Sequence, residues 1–338
     1  MSAPGCDISV AGGCDILVTP LKVVPPNRVL TRTSTNVLFC IGGLRETACL
    51  PYSNRMKLPY LTHFNLKEEP FSTVPSPRYL SLTQVHATAL SKAEFVVETR
   101  KGLAIVFGDT GTGKSSLARL LHQKFLDRRF LSALVTNPNY PGPYSLLRTI
   151  AQEFGIQRLA RSYKDMLDVF KRFLLTEADQ NGKTVVLMID EAQTLRLPLI
   201  ELLRQLINFE TNKQKLLQLV LFAQEDLRGK LAHPRARNFR SRVVMASTLD
   251  RLGSRDLAQM IDFRWRVASG GEEHPFDPSA VQLLYEHSQG MPREAAILAD
   301  NALLLAYMKK QRRVGPDIVR LVARERRINL EGAKEEAA

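Results

Sequence analysis

The stretch Leu103-Ala104-Ile105-Val106-Phe107 runs directly into Gly108-Asp109-Thr110-Gly111-Thr112-Gly113-Lys114-Ser115-Ser116, and this junction decides the fold. Five apolar residues of buried-strand length end on a run that matches G-x-x-x-x-G-K-[ST]. Glycines let such a backbone curl until successive N–H groups point at an anion, and the amphipathic segment that follows adds the positive end of a helix. Gly108 to Ser116 therefore reads as a cradle for the phosphates of a nucleotide. Lys114 is placed to reach the β- and γ-phosphates, and the Ser115 hydroxyl to ligate Mg²⁺. The guanine-recognition pattern N-K-x-D is absent from the chain, so ATP is the expected nucleotide.

The partner motif lies downstream. Thr184–Ile189 is a continuous apolar run, as expected of a strand covered on both faces, and it ends in Asp190-Glu191. Asp190 would stand beside the phosphate loop and hold the Mg²⁺ shell. Glu191, just beyond the strand, would orient and polarise the attacking water. A further apolar run, Leu216–Phe222, ends at Ala223-Gln224. Gln224 would lie between the phosphate loop and Asp190, close enough to sense the γ-phosphate; the alternative is a surface glutamine that opens a helix. Arg235, Arg237, Arg240 and Arg242 cluster before the last expected strand. Arg240 or Arg242 is the candidate to reach a neighbouring subunit's γ-phosphate, where an arginine neutralises developing charge. Gly290-Met291-Pro292-Arg293 opens a later helix, with proline setting its first turn and Arg293 projecting back towards the nucleotide.

Around these motifs strands and helices alternate. Helical patterns cover Leu82–Lys101, with Thr83 as cap, Ser115–Arg128, Tyr144–Phe154, Tyr163–Ala178 and Leu197–Phe209. Strand patterns cover Leu103–Phe107, Leu131–Thr136, Thr184–Ile189, Leu216–Phe222 and Val243–Ser247. That alternation implies an α/β domain with a parallel sheet between helical layers. After residue 253 only helices are expected: Ser254–Arg266, Pro278–Ser288, Glu294–Lys309 and Pro316–Arg327. The organisation is thus a nucleotide-binding domain over 58–252, a small all-helical domain over 253–328 and a tail over 329–338. Tyr60–Tyr79, with Pro70, Pro75 and Pro77, reads as extended or turning. Residues 1–55 repeat Gly-Cys-Asp-Ile and show no lasting periodicity, which suggests a poorly ordered extension or upstream sequence from an early start codon.

Composition narrows the class. The 338 residues are 44% hydrophobic and 24% charged, an ordinary globular balance. No apolar run reaches the roughly 18 residues that span a bilayer, and no signal-peptide pattern opens the chain. A cytoplasmic location without membrane insertion follows as the expectation. The formal charge of +13, from 47 basic and 34 acidic residues, favours an anionic partner such as duplex DNA. A second basic stretch, Lys309-Lys310-Gln311-Arg312-Arg313 with Arg320, Arg324, Arg326 and Arg327, fits phosphate contact or a solvated helix face equally well. The four cysteines, Cys6, Cys14, Cys40 and Cys49, fit neither a zinc ribbon nor a redox pair.

Taken together, several segments resemble the ExeA-type AAA+ ATPases, a family related to transposition ATPases of the TniB, TnsC and MuB kind. They are Phe64-Asn65-Leu66-Lys67-Glu68-Glu69-Pro70-Phe71, Tyr79-Leu80, the phosphate loop, Ile189-Asp190-Glu191-Ala192-Gln193, Leu221-Phe222-Ala223-Gln224 and Gly290-Met291-Pro292-Arg293. The resemblance spans residues 58 to 328. It implies a five-stranded P-loop AAA+ core, a helical lid and assembly into a homo-oligomeric ring or filament whose sites are completed across subunits. It also implies that Gln224 is the sensor, Arg242 the trans-acting arginine and Arg293 the lid sensor. The full-length secretion ATPase continues past its lid into a transmembrane segment and a peptidoglycan-binding region, neither of which lies in these 338 residues. Two roles are expected: a DNA-binding regulator that controls a transposase-like partner, or a cytosolic ATPase that assists a secretion or type IV pilus-like system.

Overall fold

The computed structural model describes residues 58–212 and 214–335, with side chains through residue 327. The readings of residues 1–55 and of the four cysteines fall outside the described residues.

All five expected strands form: β1 (Leu103–Gly108), β2 (Phe130–Val135), β3 (Thr184–Ile189), β4 (Leu217–Ala223) and β5 (Val243–Leu249). Every neighbouring pair is parallel, and the order is β2-β3-β4-β1-β5. Parallel neighbours need crossovers, which helices supply. In chain order the helices of this part are α1 (Pro59–His63), α2 (Gln84–Glu98), α3 (Lys114–Lys124), α4 (Pro143–Glu153), α5 (Tyr163–Leu174), α6 (Leu197–Ile207), α7 (Asp226–Ala232) and α8 (Arg237–Arg240). β1, β3 and β4 are buried along their whole length, the reason their sequences read as unbroken apolar runs rather than alternating ones.

The two faces of the sheet carry separate apolar layers. On one, Val96 and Val97 of α2 and Leu117 and Leu121 of α3 pack with Val106 and Phe222. On the other, Leu146 and Ile150 of α4, Phe170 of α5 and Leu203 of α6 pack with Ile105, Leu187 and Leu219. Truncating the fully buried Phe222 to alanine would cost roughly 3–5 kcal/mol. Thr83 caps α2 as expected, its side chain accepting from the His86 N–H.

Among the described residues beyond β5, the regular elements are four helices: α9 (Ser254–Ser269), α10 (Pro278–Ser288), α11 (Pro292–Met308) and α12 (Pro316–Glu335). The last runs past the Arg327 end that periodicity suggests. Leu257, Ile261, Trp265, Leu284, Ala299 and Val319 give this helical region its own core. The segment from Tyr60 differs from its extended expectation. Pro59 stands at the first turn of the short helix α1, where its missing N–H is harmless, and Tyr60, Phe64 and Phe71 enter the core of the helical region. The Phe64 ring meets Trp265 edge-on at 6.0 Å, and the Lys67 N–H donates to the Ala268 carbonyl at 3.0 Å. The chain therefore visits the lid before it enters the sheet. α7 and α8 were also not foreseen; Leu227, Leu231 and Phe239 bury them, but each is too short to show a helical period.

Candidate active site

The phosphate loop leaves β1 and returns into α3 through two left-handed glycines, Gly111 at φ 90° and Gly113 at φ 101°. Side chains strain such a backbone, and space is short as well. A Cβ on Gly111 would stand 2.8 Å from the Cβ of Arg293, and one on Gly113 would stand 3.1 Å from His86 Nε2. Lys114 is only 4% exposed, and its Nζ donates to the carbonyls of Gly108 at 2.9 Å and Asp109 at 2.8 Å. Burial pushes its pKa below the ordinary lysine value, while the charges of Glu191, Asp190 and Asp109 pull the other way.

The order of the strands places the acidic pair. β4 lies between β1 and β3, so the loop after β1, Gln224 after β4 and Asp190 after β3 share one end of the sheet. Asp190 extends the ladder, its N–H donating to the Val135 carbonyl at 2.9 Å, and its Oδ1 accepts from the Glu191 N–H at 2.9 Å. The Ser115 hydroxyl faces the same carboxylate closely enough to lower its pKa. Burial raises the Asp190 pKa; the bonds from Ser115 and the Glu191 N–H oppose that shift, the Glu191 charge adds to it and the Lys114 charge opposes it. A buried carboxylate next to a second carboxylate and a serine hydroxyl suits a hard dication. Mg²⁺ takes one or two protein oxygens and completes its shell with phosphate and water, so Ser115 and Asp190 fit it.

Glu191 occupies the left-handed region at φ 55°, ψ 35°, uncommon for a residue with a side chain and concentrated at functional sites. Its Oε2 accepts from Gln193 Nε2 at 2.5 Å and from Gln224 Nε2 at 3.5 Å. The Gln224 N–H in turn donates to Gln193 Oε1 at 3.1 Å. Lys230 fixes the same turn by donating to the Leu195 carbonyl at 3.0 Å. Both amides thus meet the same carboxylate oxygen of Glu191, Oε2.

Arg293 is also brought to the loop. Pro292 opens α11 as expected, and the Arg293 N–H donates to the Gly111 carbonyl at 3.3 Å. Arg242 is not. It precedes Val243, which pairs with Leu103 at the start of β1, so it stands at the opposite end of the sheet from Gly108. Arg235, Arg237, Arg240 and Arg242 are all exposed, and none joins this chain's own loop.

Three residues of the site were missed from sequence. Gln193 orders Glu191, and its position two residues on, in a run quoted above, was the available signal. His86 sets its Nε2 3.0 Å from the Thr112 carbonyl. Arg251 lies 3.7 Å from the Asp109 carboxylate and donates to Gln289 Oε1 at 3.0 Å, linking the loop to the lid. No local pattern marks His86 or Arg251, because each matters only through contacts remote in the chain.

Comparison with known proteins agrees with this geometry. Residues 97–231 match the family model described as AAA domain. In the Aeropyrum pernix ORC2 protein, solved as ADPNP–ADP complexes, the same fold recurs with a TM-score of 0.60 at 17% identity, over 77% of this chain and 72% of that one. The chain has the P-loop AAA fold. Cdc6p from Pyrobaculum aerophilum superposes with a TM-score of 0.61 at 14% identity, over 77% and 71% of the two chains. Drosophila ORC bound to DNA gives 0.59 at 18% identity, over 84% and 70%. In sequence, the chain is 33% identical over 267 residues to General secretion pathway protein A of Aeromonas hydrophila. That match takes in 79% of this chain and 48% of the relative, so the chain spans about half the relative's length. Among the described residues no helix is long and apolar enough to cross a membrane.

Proposed function

We propose that this AAA ATP hydrolase cleaves ATP at the Gly108–Ser116 loop and couples the cycle to the assembly state of a secretion or pilus-like system. The observation that carries the chemistry is Glu191, held by Gln193 and Gln224 beside the Ser115–Asp190 pair. Lys114 and the loop amides hold the β- and γ-phosphates, and Ser115 with Asp190 would hold Mg²⁺, which would supply positive charge to the phosphate oxygens. Glu191 accepts the proton of a water aligned with the γ-phosphorus, opposite the leaving β-γ bridging oxygen. Gln224 contacts the same carboxylate and so relates the γ-phosphate position to the base. Arg293, against Gly111, relates the nucleotide to the lid. Arg242, remote from its own loop and exposed, is assigned to a neighbouring copy's nucleotide in a homo-oligomer. The secretion role is supported by the 33% identity to General secretion pathway protein A.

A second reading, a duplex-DNA-bound regulator of a transposase-like partner, is favoured by the +13 charge. Phosphate release from Mg·ATP, with and without duplex DNA at low and moderate salt, separates the two. Turnover that ignores DNA supports the secretion role. Stimulation that fades with salt moves the assignment to the DNA-bound regulator, and absence of turnover under every condition sinks the hydrolytic assignment.

A further inference from the structure

His86 is buried beside the phosphate loop yet belongs to none of the groups that hold phosphate, metal or water. It sits on the first turn of α2, only 3% exposed, with Nε2 3.0 Å from the Thr112 carbonyl. A carbonyl only accepts, so the histidine donates. No described peptide bond is cis, and in a trans peptide the C=O and N–H share a plane and point in opposite directions. Fixing the Thr112 oxygen against α2 therefore fixes the Gly113 N–H on the side away from His86. The Gly113 carbonyl is fixed as well, accepting from the Leu117 N–H of α3 at 2.9 Å. Among the described residues no carbonyl accepts from the N–H groups of Gly113, Lys114, Ser115 or Ser116. These are the unsatisfied donors that a helix start offers to an anion. Three of them are carried by α3 itself. The Gly113 N–H belongs to a peptide outside that helix, and glycine leaves such a peptide free to swivel.

We propose that His86 is a positioning residue of the phosphate loop, its Nε2–H holding the Thr112 carbonyl so that the Gly113 N–H faces the bound phosphate. The inference rests on Gly108–Ser116 being a triphosphate site. Thr112 is tied on its other side, where its N–H and hydroxyl donate to the Asp109 carbonyl at 3.3 and 2.9 Å. Those bonds hold the residue but not the peptide beyond it, which leaves that peptide to His86. A hydrogen bond to a charged group is worth about 10- to 100-fold in affinity, and a swivelling donor forfeits part of that. Phosphate oxygens meet this N–H in the ground state and the transition state alike, so the loss falls on KM rather than on kcat.

The test compares the full chain as wild type, His86→Gln, His86→Met and His86→Phe. Glutamine carries its Nε2 the same number of bonds from Cβ as histidine does, whereas methionine and phenylalanine fill the space without a donor. Inorganic tripolyphosphate, displacing ribose-labelled fluorescent ATP, reports the phosphate contacts without a base. His86→Met and His86→Phe should bind tripolyphosphate about tenfold more weakly, and His86→Gln should stay within about threefold of wild type. Phosphate release should show the same order in the KM for ATP, with kcat little changed. If one apolar variant does not fold, the other gives the same readout. Tripolyphosphate affinity that survives both apolar substitutions overturns the proposal. So does equal weakening in all three variants, which marks a packing role, or a fall in kcat at constant KM. Each of these outcomes leaves the phosphate-site reading standing. Wild-type protein that binds neither tripolyphosphate nor ATP overturns that reading and this one with it.

Discussion

His86 on α2 donates from Nε2 to the carbonyl oxygen of Thr112 at 3.0 Å, and its Nδ1 lies 2.7 Å from the Thr83 hydroxyl. A carbonyl only accepts, so Nε2 carries the proton; in the neutral ring Nδ1 then accepts from Thr83. One neutral tautomer satisfies both contacts and ties the phosphate loop to the cap of α2.

That arrangement makes stability depend on pH. Burial lowers the His86 pKa from the ordinary histidine value of about 6.5, partly opposed by its bond to Thr112 and by the Asp256 charge. The unfolded chain then takes up the proton first. The full contribution is present above about pH 6.5 and is lost as pH falls from there towards the lower folded-state pKa, by at most about 1.4 kcal/mol per pH unit. Urea unfolding from pH 8 to 5.5 should show a smaller acid-side loss for His86→Phe than for the wild type. Equal losses would assign the effect to other groups, among them His122, whose pKa burial also lowers.

Replacing Glu191 with glutamine keeps the size of the side chain and removes the carboxylate proposed as the base. Turnover should fall on the order of 10²–10⁴-fold, while labelled ATP still binds within a few-fold of wild type. Near-normal phosphate release would mean that another group activates the water.

Gln193→Ala removes one of the two donors to Glu191 Oε2 and keeps the carboxylate. A hydrogen bond to a charged group is worth about 1.5–3 kcal/mol, so kcat should fall roughly 10- to 100-fold with KM little changed. Gln224→Ala should act in the same direction. A rise in KM at constant kcat would show instead that the glutamine holds substrate in the ground state.

Arg242→Ala should lower turnover by about 10³ and leave binding intact, because the residue stands far from its own loop. Mixing tests the trans assignment. Inactive Arg242→Ala and inactive Glu191→Gln protomers should regain phosphate release together, since one interface then pairs an intact Glu191 with an intact Arg242. Mixtures that stay inactive would remove Arg242 from the trans role, leaving Arg240 as the next residue to test.

The sheet was legible because β1, β3 and β4 are buried on both faces and so read as unbroken apolar runs, each ending in a residue of the site. The helices of the lid were legible from their 3.6-residue period and their prolines. What stayed hidden depends on long-range packing. α1 and the residues up to Phe71 carry prolines that argue against regular structure, yet Phe64 finds Trp265 some 200 positions away. His86 looked like one polar residue on a helix face until the loop was folded over it. Gln193 was in view, but its neighbour Gln224 had to arrive on β4 before its purpose showed.

The early visit of the chain to the lid has a mechanical consequence. Two strands of backbone now join core to lid, one near residues 72–76 and one near Leu252, where the N–H donates to the Gly290 carbonyl at 2.8 Å. A body hung from one point swings freely; one hung from two turns like a door, about the line through both. Ser72 and Leu252 also line the cleft in front of the phosphate loop, so whatever occupies that cleft touches both connections at once.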